Sequence, residues 1–243
     1  MKQYLIKTIF DTIQGEGTRA GTRAIFVRFG ACNMWTGMPE DRSKGVGACA
    51  LWCDTDFRSC SKRMSALEIA DECFKLWNEP GEKWVVLSGG EPMLQVDEAL
   101  LFELQDCGFK IAVETNGTVA VPHKLAIQLD WLCVSPKLLA DGSMPDLQLK
   151  RGDELKVVLP GVVEGVGWTN DMLHELEKLG DWKNMLVQPL DPTDQRIVEV
   201  SHLRGGYSRP RELGSAVSQC INWVRENSKW RIGLQLHKVL NLE

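Results

Sequence analysis

Long hydrophobic runs are missing from this sequence of 243 residues, since none reaches the roughly 18 consecutive apolar residues that a membrane-spanning helix needs. The apolar stretch at its N-terminus, MKQYLIKTIF, is too short and too interrupted for a secretory signal, so we expect a cytoplasmic protein with no membrane partner. Internal repeats and low-complexity segments are missing as well. With 44% hydrophobic and 25% charged residues, the composition is typical of a single globular domain over residues 1–243.

An excess of basic charge is also lacking, because 28 Lys and Arg residues face 33 Asp and Glu residues, for a net charge of −5. A general nucleic-acid-binding surface is usually basic, so the balance argues against nucleic acid as a partner. A negatively charged chain can still carry a locally positive pocket. The negative net charge therefore does not exclude an acidic small molecule as the ligand.

Short apolar runs rich in β-branched residues recur along the chain and predict strands that are buried on both faces. These runs are residues 25–28, 84–87, 110–113, 131–134, 155–158, 185–187 and 230–234. Amphipathic segments between several of them predict helices at residues 65–77, 96–107, 169–180 and 213–226. The first of these helices begins with Ser65-Ala66-Leu67-Glu68, a sequence typical of a capping box.

The alternation of strands and helices predicts a parallel sheet with right-handed crossovers. About six parallel strands are too few to close an eight-stranded barrel, so we predict an α/β fold built as a partial TIM-type barrel. Two irregular segments interrupt the alternation. Residues 34–48 are predicted to form an inserted loop, and residues 191–212 a long irregular connection.

Polar or glycine-rich residues follow four consecutive predicted strands. They are Ser88-Gly89-Gly90-Glu91-Pro92, Glu114-Thr115-Asn116-Gly117, Ser135-Pro136-Lys137 and Gln188-Pro189-Leu190-Asp191. Ordinary turn chemistry accounts for one such segment. Four at the same edge of a parallel sheet favour a ligand site, because ligands of such folds bind at the carboxyl ends of the strands.

Four of the eight cysteines, Cys32, Cys49, Cys53 and Cys60, crowd one short stretch. Disulfides are not expected in the cytoplasm, so three thiolates just past a strand end suggest a metal ion or an iron–sulfur cluster. Between Cys32, Cys49 and Cys53 lie 16 and then three residues, a spacing that alone favours zinc and iron–sulfur about equally. Zinc would take a fourth ligand from Cys60 or from a distant histidine. The other four cysteines are expected to be buried as small apolar side chains.

The residues around these cysteines favour the cluster. Three protein ligands leave one iron open to a chelating small molecule, such as the amino and carboxylate groups of S-adenosylmethionine. Trp52, directly before the last cysteine, is placed to pack on an adenine ring. Gly90 would let the backbone approach the ligand's amino group, and Glu91 would be its anionic partner.

These motifs resemble those of the radical S-adenosylmethionine superfamily. More narrowly, the chain is similar to the 7-carboxy-7-deazaguanine synthase family, which acts on the route to queuosine and other 7-deazapurines. The motifs that carry the narrower resemblance are Gln14-Gly15-Glu16-Gly17, residues 25–28, Cys32-Asn33, residues 53–57, 88–92, 114–117 and 135–137, Gln188-Pro189, and residues 234–238. Both intervals between the cysteines are longer than the family's, which predicts a bulged cluster loop and not the loss of the cluster.

The resemblance implies that Cys32, Cys49 and Cys53 hold a [4Fe–4S] cluster, with Cys60 as the alternative to Cys49. It implies that S-adenosylmethionine is bound by Trp52, Asp54, Gly90, Ser135, Pro136, Lys137 and the turn from Gln188 through Pro189 and Leu190 to Asp191. Glu91 and Glu114 are expected beside this ligand as hydrogen-bonding carboxylates. Thr55 is implied as an oxygen ligand of Mg²⁺.

The implied substrate is 6-carboxy-5,6,7,8-tetrahydropterin, which is converted to 7-carboxy-7-deazaguanine with loss of ammonia. One-electron reduction of the cluster would cleave S-adenosylmethionine to the 5′-deoxyadenosyl radical that starts the reaction. The residues implied to face the pterin are Ile13, Gln14, Gly15, Glu16, Arg28, Ser88, His237 and Glu243. Among these, Glu16 would accept hydrogen bonds from the N–H edge of the pterin, and Arg28 would pair with its carboxylate.

As partners, the resemblance implies an external electron donor such as flavodoxin and a second copy of the chain in a homodimer. Two other functions stay open on the sequence. An activase of glycyl-radical enzymes would share the Gly-Gly-Glu-Pro motif but would act on a protein. A non-catalytic zinc or iron–sulfur redox protein would explain the cysteines but not the four polar strand ends.

Overall fold

The computed structural model describes residues 2–59, 61–160, 167–190 and 211–242. Its strands are β1 Tyr4–Ile13, β2 Arg23–Phe29, β3 Lys62–Met64, β4 Lys83–Gly89, β5 Phe109–Thr115, β6 Trp131–Val134, β7 Arg151–Gly152, β8 Glu154–Leu159, β9 Asp181–Trp182, β10 Met185–Pro189 and β11 Trp230–Ile232. Its α-helices are α1 Ala66–Leu76, α2 Glu98–Asp106, α3 His123–Ala126, α4 Asn170–Leu179, α5 Arg211–Glu226 and α6 Leu236–Leu240. Short 3₁₀ helices cover Pro39–Lys44, Ala48–Leu51 and Pro92–Leu94.

The described residues form a nine-stranded sheet in the order β11-β10-β8-β6-β5-β4-β2-β1-β3. From β2 to β11 all neighbouring pairs are parallel, so seven strands run in one direction and their carboxyl ends share one edge. At the other end of the order, β1 pairs antiparallel with both β2 and β3. The sheet does not join β11 to β3 within the described residues, as expected for a partial barrel.

Alternation along each strand separates two layers of side chains. On β4, Val85 and Leu87 pack into the large core beneath α1 and α2, whereas Trp84 and Val86 belong to a small apolar cluster on the opposite face. Ser88 continues that second face and lines a cavity. The concave face is therefore apolar toward the amino ends of the strands and polar toward their carboxyl ends.

The helices begin where local capping is satisfied. Ser65 and Glu68 form the predicted capping box of α1, in which the Ser65 side chain accepts from the Glu68 N–H and the Glu68 side chain accepts from the Ser65 N–H. Asp97 caps α2 by accepting from the N–H of Leu100, and Thr169 caps α4 in the same way from Met172. These caps fix the helices that cover the convex face.

The seven predicted strand runs are all strands, and the four predicted helices are all present. Besides the short strands β3, β7 and β9 and the short helices α3 and α6, which were not predicted, two larger features differ from the sequence prediction. Residues 4–13 form the long strand β1, next to the last strand of the sheet, which was not predicted, and the loop predicted at 34–48 contains the 3₁₀ helix Pro39–Lys44. Most of the irregular connection predicted at 191–212 lies outside the described residues, and α5 begins within it at Arg211.

Of the four scattered cysteines, Cys73, Cys133 and Cys220 are buried as predicted, and Cys107 is partly exposed. Across the described ranges, no helix combines the length and hydropathy that crossing a bilayer would require.

Candidate active site

A cavity of about 470 Å³ opens at the carboxyl ends of the parallel strands, a volume ordinary for a small-molecule site. Parallel register brings one polar side chain from each of several strands to its wall: Arg28 from β2, Ser88 from β4, Glu114 from β5, Lys156 from β8 and Gln188 from β10. Ser135 follows β6 on the same wall. The predicted edge of the sheet is therefore the edge that carries the cavity.

Cys32, Cys49 and Cys53 all line this cavity, and all three are free thiols. Cys32 and Cys53 pack against the buried Trp35 and Phe57, whose rings meet edge to face at 5.6 Å. The three thiols therefore share one wall despite the 16 residues between the first two.

The long insertion closes on itself through backbone hydrogen bonds. The N–H of Gly47 donates to the carbonyl of Met34 at 3.0 Å, which returns the chain to the neighbourhood of Cys32. The N–H of Ala48 donates to the carbonyl of Leu138 at 2.8 Å and fixes the segment to the loop after β6. From within the insertion, Arg42 donates to the carbonyl of Ala50 at 2.7 Å.

The extra residue between Cys49 and Cys53 is accommodated by a helical turn. Cys49 lies in the 3₁₀ helix Ala48–Leu51, and its carbonyl accepts from the N–H groups of both Trp52 and Cys53. An i to i+4 hydrogen bond places the two cysteines one turn apart on the same side. The predicted bulge is thus a tight, hydrogen-bonded turn.

The donor set fits an iron–sulfur cluster. Within the described ranges, no three His, Cys, Asp or Glu side chains are grouped closely enough to hold one metal ion. Three free cysteines line the cavity, and cysteine thiolates are the usual ligands of iron–sulfur clusters. Burial raises the pKa of Cys53 to about 11 and also raises the pKa values of Cys32 and Cys49, so binding a cluster here would require these thiols to lose their protons.

Lys137 supplies positive charge beside the cysteines. Its Nζ donates to the carbonyl and to the hydroxyl of Ser135, at 2.9 and 2.5 Å, and it lies 6.0 Å from the ring centroid of Trp52. Burial lowers the pKa of Lys137, while the nearby Cys49 raises it. A cluster bound by thiolates would add negative charge here and favour the ammonium form.

Glu91 is fully buried and is already engaged by the protein. Its carboxylate accepts from the N–H of Met93, the N–H of Asn116 and the hydroxyl of Thr115, at 3.0, 2.7 and 2.7 Å. Burial raises the pKa of Glu91, and these three donors oppose that rise. Glu91 therefore connects the end of β4 to the end of β5, and it does not line the cavity.

A second group of charged side chains lines the cavity around Lys156, which is only 2% exposed. Its Nζ lies 2.7 Å from Glu16 and 2.9 Å from Glu114. The remaining carboxylate oxygens accept from amides, from Gln235 to Glu16 and from Gln14 to Glu114, each at 2.8 Å. This group of Gln14, Glu16, Glu114, Lys156 and Gln235 is called the Lys156 network below.

The C-terminal segment 235–238 closes over the N-terminal turn. The N–H of Leu236 donates to the carbonyl of Gly15 at 2.7 Å. His237 packs so closely that a Cβ on Gly15 would lie 2.1 Å from its Nδ1. Gly15 is therefore required for this approach, and the cavity includes both ends of the described chain.

Most predicted site residues line the cavity. They are Ile13, Gln14, Gly15, Glu16, Arg28, Cys32, Cys49, Trp52, Cys53, Asp54, Thr55, Ser88, Gly90, Glu114, Ser135, Lys137, Gln188, Leu190 and His237. Pro136 and Pro189, like Glu91, are not part of its lining. Cys60, Asp191 and Glu243 lie outside the described residues.

Sequence reasoning missed Lys156, Gln235 and Lys238 as cavity residues. The signal for Lys156 was available, because it interrupts the apolar run Leu155-Lys156-Val157-Val158 on a strand predicted to be buried on both faces. A lysine at such a position needs anionic partners. Its partners, however, come from distant parts of the chain, and the sequence alone does not pair them.

Comparisons with known proteins find relatives that align along nearly the whole chain. The chain is 36% identical over 245 residues to the 7-carboxy-7-deazaguanine synthase of Bordetella pertussis, with 98% of this chain and 99% of that protein aligned. It is 38% identical over 246 residues to the synthase of the same name from Burkholderia multivorans, with the same coverage. A crystal structure of QueE from Escherichia coli matches with a TM-score of 0.66 and 23% identity, covering 97% of this chain and 95% of that one. No protein-family model matches.

An incomplete barrel of mainly parallel strands, with a polar, cysteine-lined cavity at its carboxyl edge, defines the molecule as an α/β protein with a ligand-sized cavity where such folds bind ligands. Identity above 35% along nearly the whole chain defines it further. The chain belongs to the 7-carboxy-7-deazaguanine synthase family.

Proposed function

We propose that the protein is a radical S-adenosylmethionine enzyme of deazapurine biosynthesis that converts 6-carboxy-5,6,7,8-tetrahydropterin to 7-carboxy-7-deazaguanine and ammonia. The two products together contain all the atoms of the substrate, so no net oxidant is required. The observation that carries the proposal is that three free thiols and the Lys156 network line one cavity. The names of the full-length relatives support the product.

Cys32, Cys49 and Cys53 are proposed to hold a [4Fe–4S] cluster, with Lys137 offsetting part of its negative charge. When bound, the cluster would supply the electron that breaks a C–S bond of S-adenosylmethionine, giving methionine and a 5′-deoxyadenosyl radical. Trp52 packs against Val158 and Leu190, which gives the adenine an apolar surface beside the last cysteine. Ser135, Gln188 and the backbone at Gly90 are proposed to hold the polar groups of the same molecule.

The pterin is proposed to lie against the Lys156 network. Glu16 carries acceptor oxygens toward the amidine-like N–H edge of the substrate, which matches a carboxylate in geometry. Arg28, whose guanidinium lies 5.4 Å from the ring centroid of Phe10, is proposed to pair with the substrate carboxylate. Two ends of the substrate would thereby be fixed, so that one C–H bond faces the radical.

Thr55 is proposed to supply one oxygen to Mg²⁺, the remaining positions being filled by substrate and water. Its hydroxyl lies 3.4 Å from a carboxylate oxygen of Asp54, in the part of the cavity wall that carries Cys53. A homodimer and an external electron donor such as flavodoxin remain predictions.

The proposal is tested by anaerobic reconstitution with iron and sulfide, followed by turnover with S-adenosylmethionine, a reductant and the carboxytetrahydropterin. Mass spectrometry should detect 7-carboxy-7-deazaguanine, and ammonia should form in equal amount. If 5′-deoxyadenosine is the only product, the substrate assignment is wrong. If the protein binds zinc and stays colourless, the whole proposal is wrong.

A further inference from the structure

Lys156 is a buried cation between two carboxylates in the wall of the proposed pterin site. It lies in the middle of β8, and its Nζ is within 2.9 Å of both Glu16 and Glu114. Burial alone would favour the neutral amine, but the two carboxylates raise the pKa of Lys156 well above its usual value. The lysine therefore stays charged in the folded protein.

The Lys156 network leaves Glu16 with spare acceptor capacity. One carboxylate oxygen accepts from Lys156 at 2.7 Å and the other from Gln235 at 2.8 Å. Each ionised carboxylate oxygen can accept about two hydrogen bonds, so both oxygens can still accept from a ligand. A second carboxylate, that of Glu114, shares the ammonium of Lys156, so the group has two carboxylates for one ammonium and suits a ligand edge made of N–H donors.

We propose that Lys156 is a positioning residue, which holds Glu16 as an oriented anionic acceptor and thereby makes the site selective for the amino-bearing edge of a pterin. The inference rests on the function proposed above, and it names the amino-bearing edge as the part of the substrate that the Lys156 network recognises. A protonated Glu16 would present a donor instead of an acceptor, so the recognition depends on the charge of Lys156 and not only on its bulk.

The electrostatics of Glu16 support this role. Burial would raise the pKa of Glu16, but the ammonium of Lys156 outweighs burial and holds that pKa well below its usual range. Other titratable groups near the pair are His237, Lys137, Cys133 and Glu154. These residues are retained in a Lys156 variant, so the ratio of variant to wild-type affinity measures the effect of removing Lys156 together with the response of its neighbours.

The test measures binding to cluster-free protein, which separates recognition from catalysis. The probes are 6-carboxypterin and 6-carboxylumazine, which carries an oxygen in place of the 2-amino group, and the readouts are fluorescence quenching and calorimetry. Lys156→Met should weaken 6-carboxypterin binding at least tenfold at neutral pH and change 6-carboxylumazine binding much less. The loss should shrink as the pH rises within the range where the pterin ring keeps its N–H donors, because buried Glu16 without the lysine ionises at higher pH than in the wild type.

Three further variants separate the effect of the Lys156 charge from a purely structural effect. Lys156→Arg keeps the charge and should keep the wild-type pH profile. The double variant Lys156→Met/Glu114→Gln removes the repulsion between two unpaired carboxylates and should recover part of the lost affinity, which a purely structural role would not allow. Lys183→Met is the control, since Lys183 pairs with Asp153 on the surface and is 74% exposed; it should bind both probes like the wild type.

A measurement on the unmodified protein covers the case in which Lys156→Met does not fold. The carboxyl carbon-13 resonance of Glu16, assigned with Glu16→Gln, should stay in its ionised position down to about pH 4. Titration of Glu16 near its ordinary pKa would overturn the inference, and so would equal 6-carboxypterin affinity and pH profile in folded Lys156→Met and wild type. Failure of the wild type to bind or convert any carboxypterin would instead overturn the proposed function, and this inference with it.

Discussion

Lys238 and Asp54 form an ion pair with 2.8 Å between Nζ and a carboxylate oxygen, which connects the C-terminal helix α6 to the loop that carries Cys53. Gln235, three residues earlier, donates to Glu16 in the N-terminal turn. The C-terminal segment therefore contacts both the proposed cofactor side and the proposed pterin side of the cavity. We infer that this segment keeps the two sides of the cavity in a fixed position relative to each other.

Replacing Lys238 with Met tests this connection. The side chains are 24% and 32% exposed, so the ion pair should contribute less than about 1 kcal/mol to the free energy of unfolding. The KM for the pterin should nevertheless rise severalfold, because the cavity loses a restraint on its closure. Lys229→Met is the matched control, since Lys229 lies 2.7 Å from Glu177 in an ion pair outside the cavity lining. Equal KM values for Lys238→Met and wild type would contradict the inference.

Replacing Glu91 should lower the free energy of unfolding more than it lowers the affinity for S-adenosylmethionine. In Glu91→Gln, an amide N–H₂ replaces a carboxylate oxygen that accepts from protein donors, leaving buried donors without an acceptor. The loss should be about 1–3 kcal/mol in the free energy of unfolding, measured in urea. Glu82→Gln, at an exposed ion pair with Lys110, should change it by no more than about 0.5 kcal/mol. Unchanged stability of Glu91→Gln together with lost S-adenosylmethionine affinity would make Glu91 a ligand-binding residue after all.

Gly90 should be intolerant of any side chain. A Cβ at this position would lie 1.9 Å from the carbonyl oxygen of Ala31 and 3.2 Å from the Cβ of Cys32. Gly90→Ala should therefore displace the first cysteine and lower the iron content after reconstitution. Gly21→Ala is the control: Gly21 has φ +90° and no neighbour within 4 Å of the added Cβ, so it should lose only about 1–2 kcal/mol of stability and keep its iron. Full iron content in Gly90→Ala would refute the steric argument.

The Tyr4 hydroxyl should make the free energy of unfolding depend on pH in the alkaline range. Its buried hydroxyl donates to Asp97 at 2.6 Å, and burial, followed by this carboxylate, raises the pKa of Tyr4 well above its usual value. Because the folded pKa exceeds the unfolded one, this contribution is complete below about pH 10 and falls as the pH rises further. Tyr4→Phe should cost about 1.5–3 kcal/mol near neutral pH, and the difference from wild type should shrink above about pH 10. A difference that stays constant across that range would show that Tyr4 is not the titrating group.

The fold and most of the cavity wall could be predicted because both follow from local patterns. Apolar runs define the parallel strands, and residues that follow those runs gather at one edge. Strand β1 was not predicted, since Lys7, Thr8 and Asp11 break its apolar pattern in an antiparallel strand that is mostly only partly buried.

Long-range pairing could not be read from the sequence. Lys156 is recognisable as an unusual strand residue, but its partners Glu16 and Glu114 are 140 and 42 positions away. The role of Glu91 was predicted toward a ligand, whereas three protein donors engage its carboxylate. Local motifs thus place a residue near the cavity, and tertiary contacts decide whether it faces inward.

The most direct test of the account is the electron paramagnetic resonance spectrum of the reduced, anaerobically reconstituted protein, recorded before and after addition of S-adenosylmethionine. We predict a four-iron signal that changes on addition, because three cysteines leave one iron accessible. The signal should be lost in Cys32→Ala, Cys49→Ala and Cys53→Ala and retained in Cys60→Ala. A wild-type signal that S-adenosylmethionine leaves unchanged, or a full signal in Cys49→Ala, would contradict the assignment.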